Sequence, residues 1–241
     1  MNIYIASDFH LKFVENEEDL ARKERVINFL ESIKGKSDVL VLNGDIFDLW
    51  FTWHKVIIKG YFPFLKKLAD LKESGTRIVF IAGNHDFWFR DFLTEYIGAE
   101  VYPDNFSEQL DGKKIFITHG DLHTTNDIRY KIFRSVIRNK IVMTIFELLH
   151  PDLSLSLGRK MSRSSRNRPM STELMQLKEN GLTNFAKKKL KDYDIVAMGH
   201  SHSPKKLEMN GGVYLNSGDW IKNNSYILIE DGKAKLCNFK G

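Results

Sequence analysis

Several residue types that would point to particular classes of protein are scarce in this sequence. Only one of its 241 residues, Cys237, is cysteine, and only five are proline. A single cysteine excludes an internal disulfide and any zinc site built from several thiolates. With few prolines and no low-complexity tract, the composition argues against extensive disorder, so we expect order almost throughout.

Long apolar runs are also missing. No stretch approaches the roughly 18 consecutive apolar residues of a membrane-spanning helix, so any contact with a bilayer must be peripheral. The first predicted strand begins at Asn2, and no signal-peptide pattern precedes it. Together with the lone cysteine, this favours a cytoplasmic protein.

The residues that are abundant predict a folded domain with an anionic partner. Hydrophobic residues make up 42% of the chain, enough for a sizeable core, and we predict a single domain over residues 1–241. The formal net charge is +5, which permits a nucleotide, a nucleic acid or a phospholipid surface as partner without choosing among them.

Short apolar runs alternate with segments of helical period, a pattern that predicts an α/β domain. The first half should contain strands at 3–6, 39–42 and 77–82 and helices at 18–34 and 56–74. Short strands are predicted at 100–102, 107–110 and 114–118, and further strands at 194–198, 205–209, 213–216, 226–230 and 234–238. The dipeptide Asp111-Gly112 is a strong hairpin signal, and from there we expect a mixed sheet.

Residues from 127 to about 192 show only helical patterns, and we predict that they form a helical cap inserted into the domain. The stretch 130–150 is amphipathic and rich in Lys and Arg. A second basic cluster lies within 158–169. These apolar positions either take up an apolar ligand or only pack the cap onto the body of the domain.

Five of the predicted strands end in clusters of Gly, Asp, Asn and His. In order, the clusters are Asp8-Phe9-His10, Gly44-Asp45, Gly83-Asn84-His85-Asp86, His119-Gly120-Asp121 and Gly199-His200-Ser201-His202. The carboxyl ends of strands in an open α/β sheet share one edge, so these side chains can converge there. One such cluster is usually a turn or a helix cap, but five in order predict a site for hard or borderline divalent cations.

The five clusters resemble the signature of the calcineurin-like metallophosphoesterase family, and the resemblance spans residues 8–202. It implies a β-sandwich flanked by helices and two divalent metal ions, of which Mn²⁺ is the expected choice. It also implies how the ions are held: one by Asp8, His10, Asp45 and His202, and the other by Asp45, Asn84, His119 and His200, with Asp45 bridging the two.

Such a pair of cations, roughly 3.5 to 4 Å apart, can activate water and clamp the oxygens of a phosphoryl group. We therefore assign catalytic roles to Asp45, which keeps the cations together, and to His85, which could donate to a phosphate oxygen or protonate the leaving group. Asn84 and His85 would also contact the substrate. Asp86 is predicted to orient ligands, with a simple turn residue as the alternative.

The helical insertion also resembles that of the UDP-2,3-diacylglucosamine pyrophosphohydrolases of lipid A synthesis, through the pattern Asp127, Tyr130, Phe133 and Arg134 and the Gly218-Asp219-Trp220 turn. Better-known members of that group have arginine where His85 stands, so His85 cannot inherit the arginine's role. The resemblance implies hydrolysis of the pyrophosphate bond to UMP and 2,3-diacylglucosamine 1-phosphate. It implies substrate contacts at Asp127, Tyr130, Arg134, Ser162, Arg163 and Arg166.

Two other functions stay open on the sequence. The chain could be a generic metallophosphodiesterase acting on nucleotides, cyclic nucleotides or nucleic acid, or a scaffold without catalysis, although no expected ligand is missing. With a glycolipid substrate, the cap would rest on the cytoplasmic face of the inner membrane, and no stable nucleic-acid partner is expected. His54, His123 and His150 are predicted to be structural or surface residues, and Trp50 and Trp53 to pack in the core.

Overall fold

The structure, a computed structural model, describes residues 1–124, 128–166 and 171–241, and the side chains of all of these except 128–129 and 161–166. The described strands are β1 (Asn2–Ala6), β2 (Val39–Asn43), β3 (Arg77–Ile81), β4 (Glu100–Tyr102), β5 (Asn105–Leu110), β6 (Lys113–Thr118), β7 (Ile195–Met198), β8 (Lys205–Met209), β9 (Gly212–Asn216), β10 (Ser225–Glu230) and β11 (Lys233–Asn238). The described α-helices are α1 (Glu17–Ile33), α2 (Phe62–Glu73), α3 (Phe92–Glu95), α4 (Ile128–Ile137), α5 (Lys140–Leu148), α6 (Pro151–Arg166) and α7 (Thr172–Lys189).

The strands form two sheets. Within the described residues the first sheet has the order β11-β10-β1-β2-β3-β4, and the second has the order β5-β6-β7-β9-β8. Strands β1 to β4 run parallel to one another, β10 pairs antiparallel with β1, and β11 pairs antiparallel with β10. In the second sheet β6, β7 and β9 are parallel. Each sheet therefore has several carboxyl strand ends at a single edge.

Both faces of the first sheet are buried, which explains the continuous apolar runs of its central strands. In β1, Ile3 and Ile5 pack in one core with Ile115 and Ile117 of β6, so the two sheets face each other. Tyr4, on the opposite face of β1, packs in another core with residues of α1 and α2. Burying an isoleucine side chain contributes about 1.5 to 3 kcal/mol, so this alternation fixes which face of β1 meets the second sheet and which meets the helices.

The outer face of the second sheet is covered by α7. Leu182 and Ala186 of α7 pack against Val196 and Met198 of β7 in a third core. The layers are thus helices, sheet, sheet and helix, which confirms the predicted α/β sandwich flanked by helices. Although α7 falls within the range predicted as a cap, its second half serves as a flanking helix of the sandwich.

Helices α4, α5 and α6, which we call the helical segment, lie on the loops that follow β2 and β3. The ring of Phe146 on α5 lies 4.9 Å from Phe51 and 4.8 Å from Trp88. Trp88 also donates through Nε1 to the carbonyl of Ile137 at 2.7 Å. None of the helices among the described residues is long and apolar enough to cross a bilayer.

Most strand positions agree with the sequence prediction, but the second helix was predicted too long. Helix α2 begins at Phe62, after a 3₁₀ turn at Lys59–Tyr61, rather than at residue 56. Pro63 explains the start, because proline has no backbone N–H to donate and is tolerated only in the first turn of a helix. Trp50 and Trp53 lie outside any helix, and both are buried in the core as predicted.

Candidate metal centre

The five clusters predicted from the sequence lie at one edge of the sandwich, where the two sheets meet. Nε2 of His202, after β7, lies 3.2 Å from Oδ1 of Asp8, after β1. Nε2 of His119, after β6, lies 3.4 Å from Oδ2 of Asp45, after β2. Both distances join residues of different sheets, so the candidate centre spans the seam of the sandwich.

Asp8, His10 and His202 form the first ligand group. Their ligand atoms all lie within 4.8 Å of one another. Nε2 of His10 is 3.8 Å from Oδ1 of Asp8 and 3.3 Å from Nε2 of His202. Asp8 and His10 are buried, whereas His202 is partly exposed. The group therefore has a closed side toward the core and an open side toward solvent.

Asp45, His119 and His200 form the second ligand group, again with ligand atoms within 4.8 Å of one another. Asn84 joins them, because its Oδ1 lies 3.2 Å from Nε2 of His119. Nδ1 of His119 lies 2.9 Å from the carbonyl oxygen of Asn43, to which it can donate while Nε2 faces the group. This bond fixes the ring of His119 with Nε2 available to a cation.

The carboxylate of Asp45 lies between the two groups. Its Oδ2 is 3.8 Å from Nε2 of His10 in the first group and 3.4 Å from Nε2 of His119 in the second. Its Oδ1 accepts a hydrogen bond from the backbone N–H of His85 at 2.9 Å. One oxygen is thus held by the protein, and the other occupies the position that a bridging ligand would take.

Five of the seven predicted metal ligands have a left-handed backbone. The φ angles are 56° at Asp8, 46° at His10, 54° at Asp45, 66° at His200 and 58° at His202. Residues other than glycine rarely adopt this conformation, which costs of order 1 to 2 kcal/mol. It persists where the surrounding structure imposes it, and such residues cluster at functional sites.

Two glycines allow the loops to approach the ligands closely. A Cβ atom on Gly83 would overlap with Oδ1 and the backbone nitrogen of Asp45. A Cβ atom on Gly199 would overlap with Oγ of Ser7 and Oδ2 of Asp8. These positions need glycine because another backbone or ligand carboxylate occupies the space that a side chain would fill.

Asp86 ties the loop after β3 to the loop after β2. Its fully buried carboxylate accepts hydrogen bonds from the backbone N–H groups of Asp45 at 2.9 Å, Ile46 at 2.7 Å and Gly83 at 3.0 Å. Burial and the nearby charge of Asp45 raise the pKa of Asp86 to about 8, while these N–H groups favour its charged form. Asp86 is thus more than a turn residue, because it holds Asp45 in place.

His10 and His200 are neutral bases in this environment. Burial lowers the pKa of His10 to about 3. Burial also lowers the pKa of His200 to about 4, with a further contribution from the positive charge of His119. A histidine binds a metal ion only through an unprotonated nitrogen, so both rings are ready to coordinate at neutral pH.

His119 and His202 behave in the opposite way. Burial disfavours their charged forms, but the carboxylates of Asp45 and Asp8, respectively, outweigh this effect and raise both pKa values to about 10. Burial likewise raises the pKa of Asp8, yet the charge of His202 outweighs it and lowers this pKa to about 2. At neutral pH His119 and His202 are therefore both positively charged, and each carries a second ring proton where a cation would bind.

These raised pKa values predict that cation binding releases protons. His119 and His202 are protonated below about pH 10 and must each lose a proton to coordinate, so the affinity for Mn²⁺ should rise with pH. Calorimetric titration at pH 7.5, in buffers of different ionisation enthalpy, should show release of about two protons when both cations bind. A binding enthalpy that is independent of the buffer would contradict this expectation.

The two groups fit a pair of divalent cations. They offer carboxylate and amide oxygens with imidazole nitrogens, the ligands that hard and borderline divalent ions prefer. Neighbouring ligand atoms in the first group are 3.2 to 3.8 Å apart. Ligands bound about 2.0 to 2.2 Å from one ion are separated by similar distances, roughly 3 to 3.6 Å. Little rearrangement is needed for a cation to bind.

His85 lies beside the first ligand group. Its ring is 5.1 Å from that of His10, and Nδ1 of His85 donates to the carbonyl oxygen of Asp48 at 3.2 Å. Nitrogens of His10 and His85 and a carboxylate oxygen of Asp48 also lie within 4.8 Å of one another. The half-buried ring is thus held at the edge of the centre with Nε2 free of this backbone contact.

The helical segment supplies two of the predicted substrate contacts, and both contact the protein itself. The hydroxyl of Tyr130 donates to Oδ2 of Asp121 at 2.5 Å, and Nε of Arg134 donates to the same oxygen at 3.1 Å. Arg134 also pairs with Asp104 at 2.8 Å. These side chains hold α4 against the loop after β6, two residues beyond His119.

Other predicted contacts lie outside the described residues. They are Asp127 and the side chains of Ser162, Arg163 and Arg166.

The structure adds three carboxylates to which the sequence analysis gave no role in the centre. Asp121 is the anchor of α4, Asp48 lies beside His10 and His85, and Asp219 lies 3.2 Å from Nδ1 of His202. Asp121 belongs to the fourth cluster, but the sequence does not show that it is buried or that Tyr130 and Arg134 donate to it. Asp219 follows His202 by 17 residues, and only the fold shows that its carboxylate faces that ring.

A cavity of about 160 Å³ adjoins the first ligand group. Asp48 connects the two, because its Oδ1 lies 3.9 Å from Nδ1 of His10. The cavity lies between the β1–α1 loop and α6, and it is lined by Lys12, Phe13, Val14, Glu15, Asn16, Asp19, Asp48 and Arg159. Its charged lining suits the polar part of a ligand.

Comparison with solved structures agrees with the fold. A structure reported as a novel archaeal phosphodiesterase superposes with a TM-score of 0.53 and covers 98% of this chain and 99% of its own. Its sequence is only 16% identical, so the likeness concerns the fold alone.

Sequence comparison identifies the family. A family model described as calcineurin-like phosphoesterase matches residues 1–204. A UDP-2,3-diacylglucosamine hydrolase of Porphyromonas gingivalis is 30% identical, over 94% of this chain and 93% of its own length. A protein of the same name from Haemophilus influenzae is 26% identical, over 97% and 96%. The resemblance noted in the five clusters is thereby confirmed, and the chain belongs to the calcineurin-like phosphoesterases, a family of hydrolases.

Proposed function

We propose that the chain hydrolyses the pyrophosphate bond of UDP-2,3-diacylglucosamine, releasing UMP and 2,3-diacylglucosamine 1-phosphate. The observation that carries the proposal is the position of the helical segment. It borders the candidate metal centre, because Arg138 donates to the carbonyl oxygen of Gly83 at 2.8 Å and Tyr130 donates to Asp121, and it exposes apolar side chains beside basic ones. The similarity to hydrolases of that name extends across this segment and nearly the whole chain. We treat residues 1–241 as one domain, with 127–192 as a helical insertion that forms the cap and whose last helix, α7, also flanks the second sheet.

The proposed centre holds two divalent cations, with Mn²⁺ as the expected ion. When bound, they would activate water and stabilise the charge that develops on the phosphoryl oxygens. The chain's own residues position them: Asp8, His10 and His202 on one side, Asn84, His119 and His200 on the other, and Asp45 between. A neutral Asn84 leaves more net positive charge on the site than a further carboxylate would.

His85 is proposed to act on the leaving side of the reaction. Because its Nδ1 donates to the carbonyl of Asp48, Nε2 is the atom that can carry a proton toward the phosphate. Its backbone N–H also holds Oδ1 of Asp45, so the ring has a fixed position relative to the bridging carboxylate. Asn84 and His85 would both contact the phosphoryl group.

Acyl chains would lie along the helical segment. On α5, Ile141 is 69% exposed, Ile145 57% and Leu148 81%, and Leu153 of α6 is 51% exposed. Each methylene taken out of water contributes about 0.8 kcal/mol, so several such side chains together can hold an acyl chain. Tyr130 and Arg134 would contribute to the walls through the α4 anchor, and Asp127, Ser162, Arg163 and Arg166 are retained as proposed head-group contacts.

The same apolar and basic surface is proposed to rest on the cytoplasmic face of an anionic membrane, where the glycolipid substrate resides. Co-sedimentation with phosphatidylglycerol vesicles measures this contact. Equal recovery of the protein with neutral and anionic vesicles would remove the electrostatic part of the proposal.

A substrate comparison tests the proposed function. In the presence of Mn²⁺, the chain should hydrolyse UDP-2,3-diacylglucosamine in preference to UDP-N-acetylglucosamine and bis-p-nitrophenyl phosphate. We expect at least a 100-fold difference in kcat/KM, about 2.7 kcal/mol, because only the first substrate buries acyl chains. If the unacylated substrates are turned over equally well, the chain is a general phosphodiesterase instead.

A further inference from the structure

The segment 217–225 lies beyond the family match at residues 1–204, yet it packs against the first ligand group. Oγ of Ser217 lies 2.6 Å from Oγ of Ser7, which in turn hydrogen bonds to Oδ2 of Asp8. The backbone N–H of Trp220 donates to the carbonyl oxygen of Asp8 at 3.2 Å. Oδ2 of Asp219 lies 3.2 Å from Nδ1 of His202. This segment therefore contacts two of the proposed metal ligands.

The carboxylate of Asp219 is held in a fixed orientation. Asp219 is only 3% exposed, and its Oδ1 accepts hydrogen bonds from the backbone N–H groups of Lys222 at 2.9 Å and Asn223 at 3.0 Å. The side-chain amide of Asn223 donates both to this oxygen, at 3.2 Å, and to the carbonyl oxygen of His202, at 3.0 Å. Oδ1 is thus satisfied by the turn, and Oδ2 is directed at the ring of His202.

We propose that Asp219 is a positioning residue for the first cation, acting through His202. A carboxylate that accepts from Nδ1 of a histidine keeps the proton on Nδ1, so the proton that His202 loses on coordination is the one on Nε2. Nε2 of His202 is the atom that faces Oδ1 of Asp8 at 3.2 Å, where the first cation is proposed to bind. The inference rests on the proposed ligand set, and it extends the centre beyond the five clusters.

Exchange of Asp219 for asparagine isolates this role. The amide oxygen of asparagine can still accept from Lys222 and Asn223, so the turn is preserved. Its NH₂ group then faces His202 and donates to Nδ1, which moves the ring proton to Nε2 and opposes coordination. We expect one of two Mn²⁺ affinities to fall by about 10- to 100-fold, with the other unchanged.

The experiment is a titration of the full chain with Mn²⁺, followed by calorimetry and electron paramagnetic resonance, together with the thermal unfolding temperature. The matched control is Asp194→Asn, because Asp194 also accepts a backbone hydrogen bond, from Lys114 at 2.8 Å, but on the far end of the sheet. The control should bind both ions as the parent chain does. Selective loss of one affinity in Asp219→Asn, with an unfolding temperature close to that of the control, supports the proposal.

Two outcomes contradict the role of Asp219, and a third contradicts the ligand set on which it rests. The variant His202→Ala distinguishes the third from the other two. If His202→Ala loses one ion while Asp219→Asn keeps both affinities, the ligand stands and Asp219 does not position it. If Asp219→Asn lowers both affinities together with the unfolding temperature, Asp219 has only a structural role. If His202→Ala itself binds both ions normally, the proposed ligand set is wrong and the inference falls with it.

Discussion

Asp45→Asn is expected to remove turnover and the binding of paired cations together. The exchange takes away the one negative charge that lies between the two ligand groups, with Oδ2 within 3.8 Å of both His10 and His119. Cation stabilisation of a phosphoryl transfer is worth several kcal/mol, so kcat should fall by at least about 1000-fold. Bound Mn²⁺ is measured by elemental analysis alongside the rate with UDP-2,3-diacylglucosamine.

Two comparison variants make this test specific. Asp38→Asn removes a carboxylate that accepts from the backbone of Asn2 far from the centre, and it should leave metal content and rate unchanged. His85→Ala should lower kcat but keep both ions, because His85 is proposed to act on the phosphate. An active Asp45→Asn chain without bound metal would refute the bridging role, and metal loss in His85→Ala would make His85 a ligand.

Gly83→Ala is expected to displace Asp45, the proposed bridging ligand, and so to disrupt the centre. The added methyl group would overlap with Oδ1 and the backbone nitrogen of Asp45, and it would also press on the carboxylate of Asp86. Overpacking of a rigid site costs about 1 to 3 kcal/mol, and here the displaced group is the proposed bridging ligand. The variant should unfold at a lower temperature and bind Mn²⁺ at least about 100-fold more weakly.

Gly75→Ala is the control for the change from glycine to alanine. Gly75 has a φ of 97° at the end of α2, and an added Cβ there meets nothing within 4 Å. Its cost is backbone strain of about 1 to 2 kcal/mol, so stability should fall without any effect on Mn²⁺ affinity. If both variants bind Mn²⁺ equally well, the close approach of Gly83 to Asp45 has no part in holding the ligand.

The sequence was sufficient to predict the convergence of the five clusters because each follows a short apolar run, a local pattern that indicates a buried strand. Asp8 and Asp45, for example, follow parallel neighbours, and the shared edge of a parallel sheet then brings them together. The assignment of these residues as ligands stays a prediction that the metal-binding experiments test. Asn84 and His119 come from different sheets, and the family resemblance, rather than periodicity, brought them into one set.

What the sequence could not predict depends on contacts between distant segments. The apolar run of α7 has the same period whether it lies in a cap or against the second sheet, and only the packing of Leu182 on Met198 decides. The substrate contacts of Tyr130 and Arg134 stay a prediction, but a basic, aromatic helix gives no sign that a buried Asp121 will accept from both. Likewise, the sequence gives no sign that the carboxylate of Asp219 lies beside the ring of His202.

The left-handed backbone at Asp8, His10, Asp45, His200 and His202 has a consequence for how this family can change. Among non-glycine residues, aspartate, asparagine and histidine are the ones most often found in that conformation, and the same short polar side chains coordinate cations. Selection for ligands and selection for an unstrained loop therefore favour the same amino acids. A descendant that no longer hydrolysed phosphates would still be under pressure to keep asparagine, aspartate, histidine or glycine at these five positions. Such residues alone are poor evidence that a distant relative is still an enzyme.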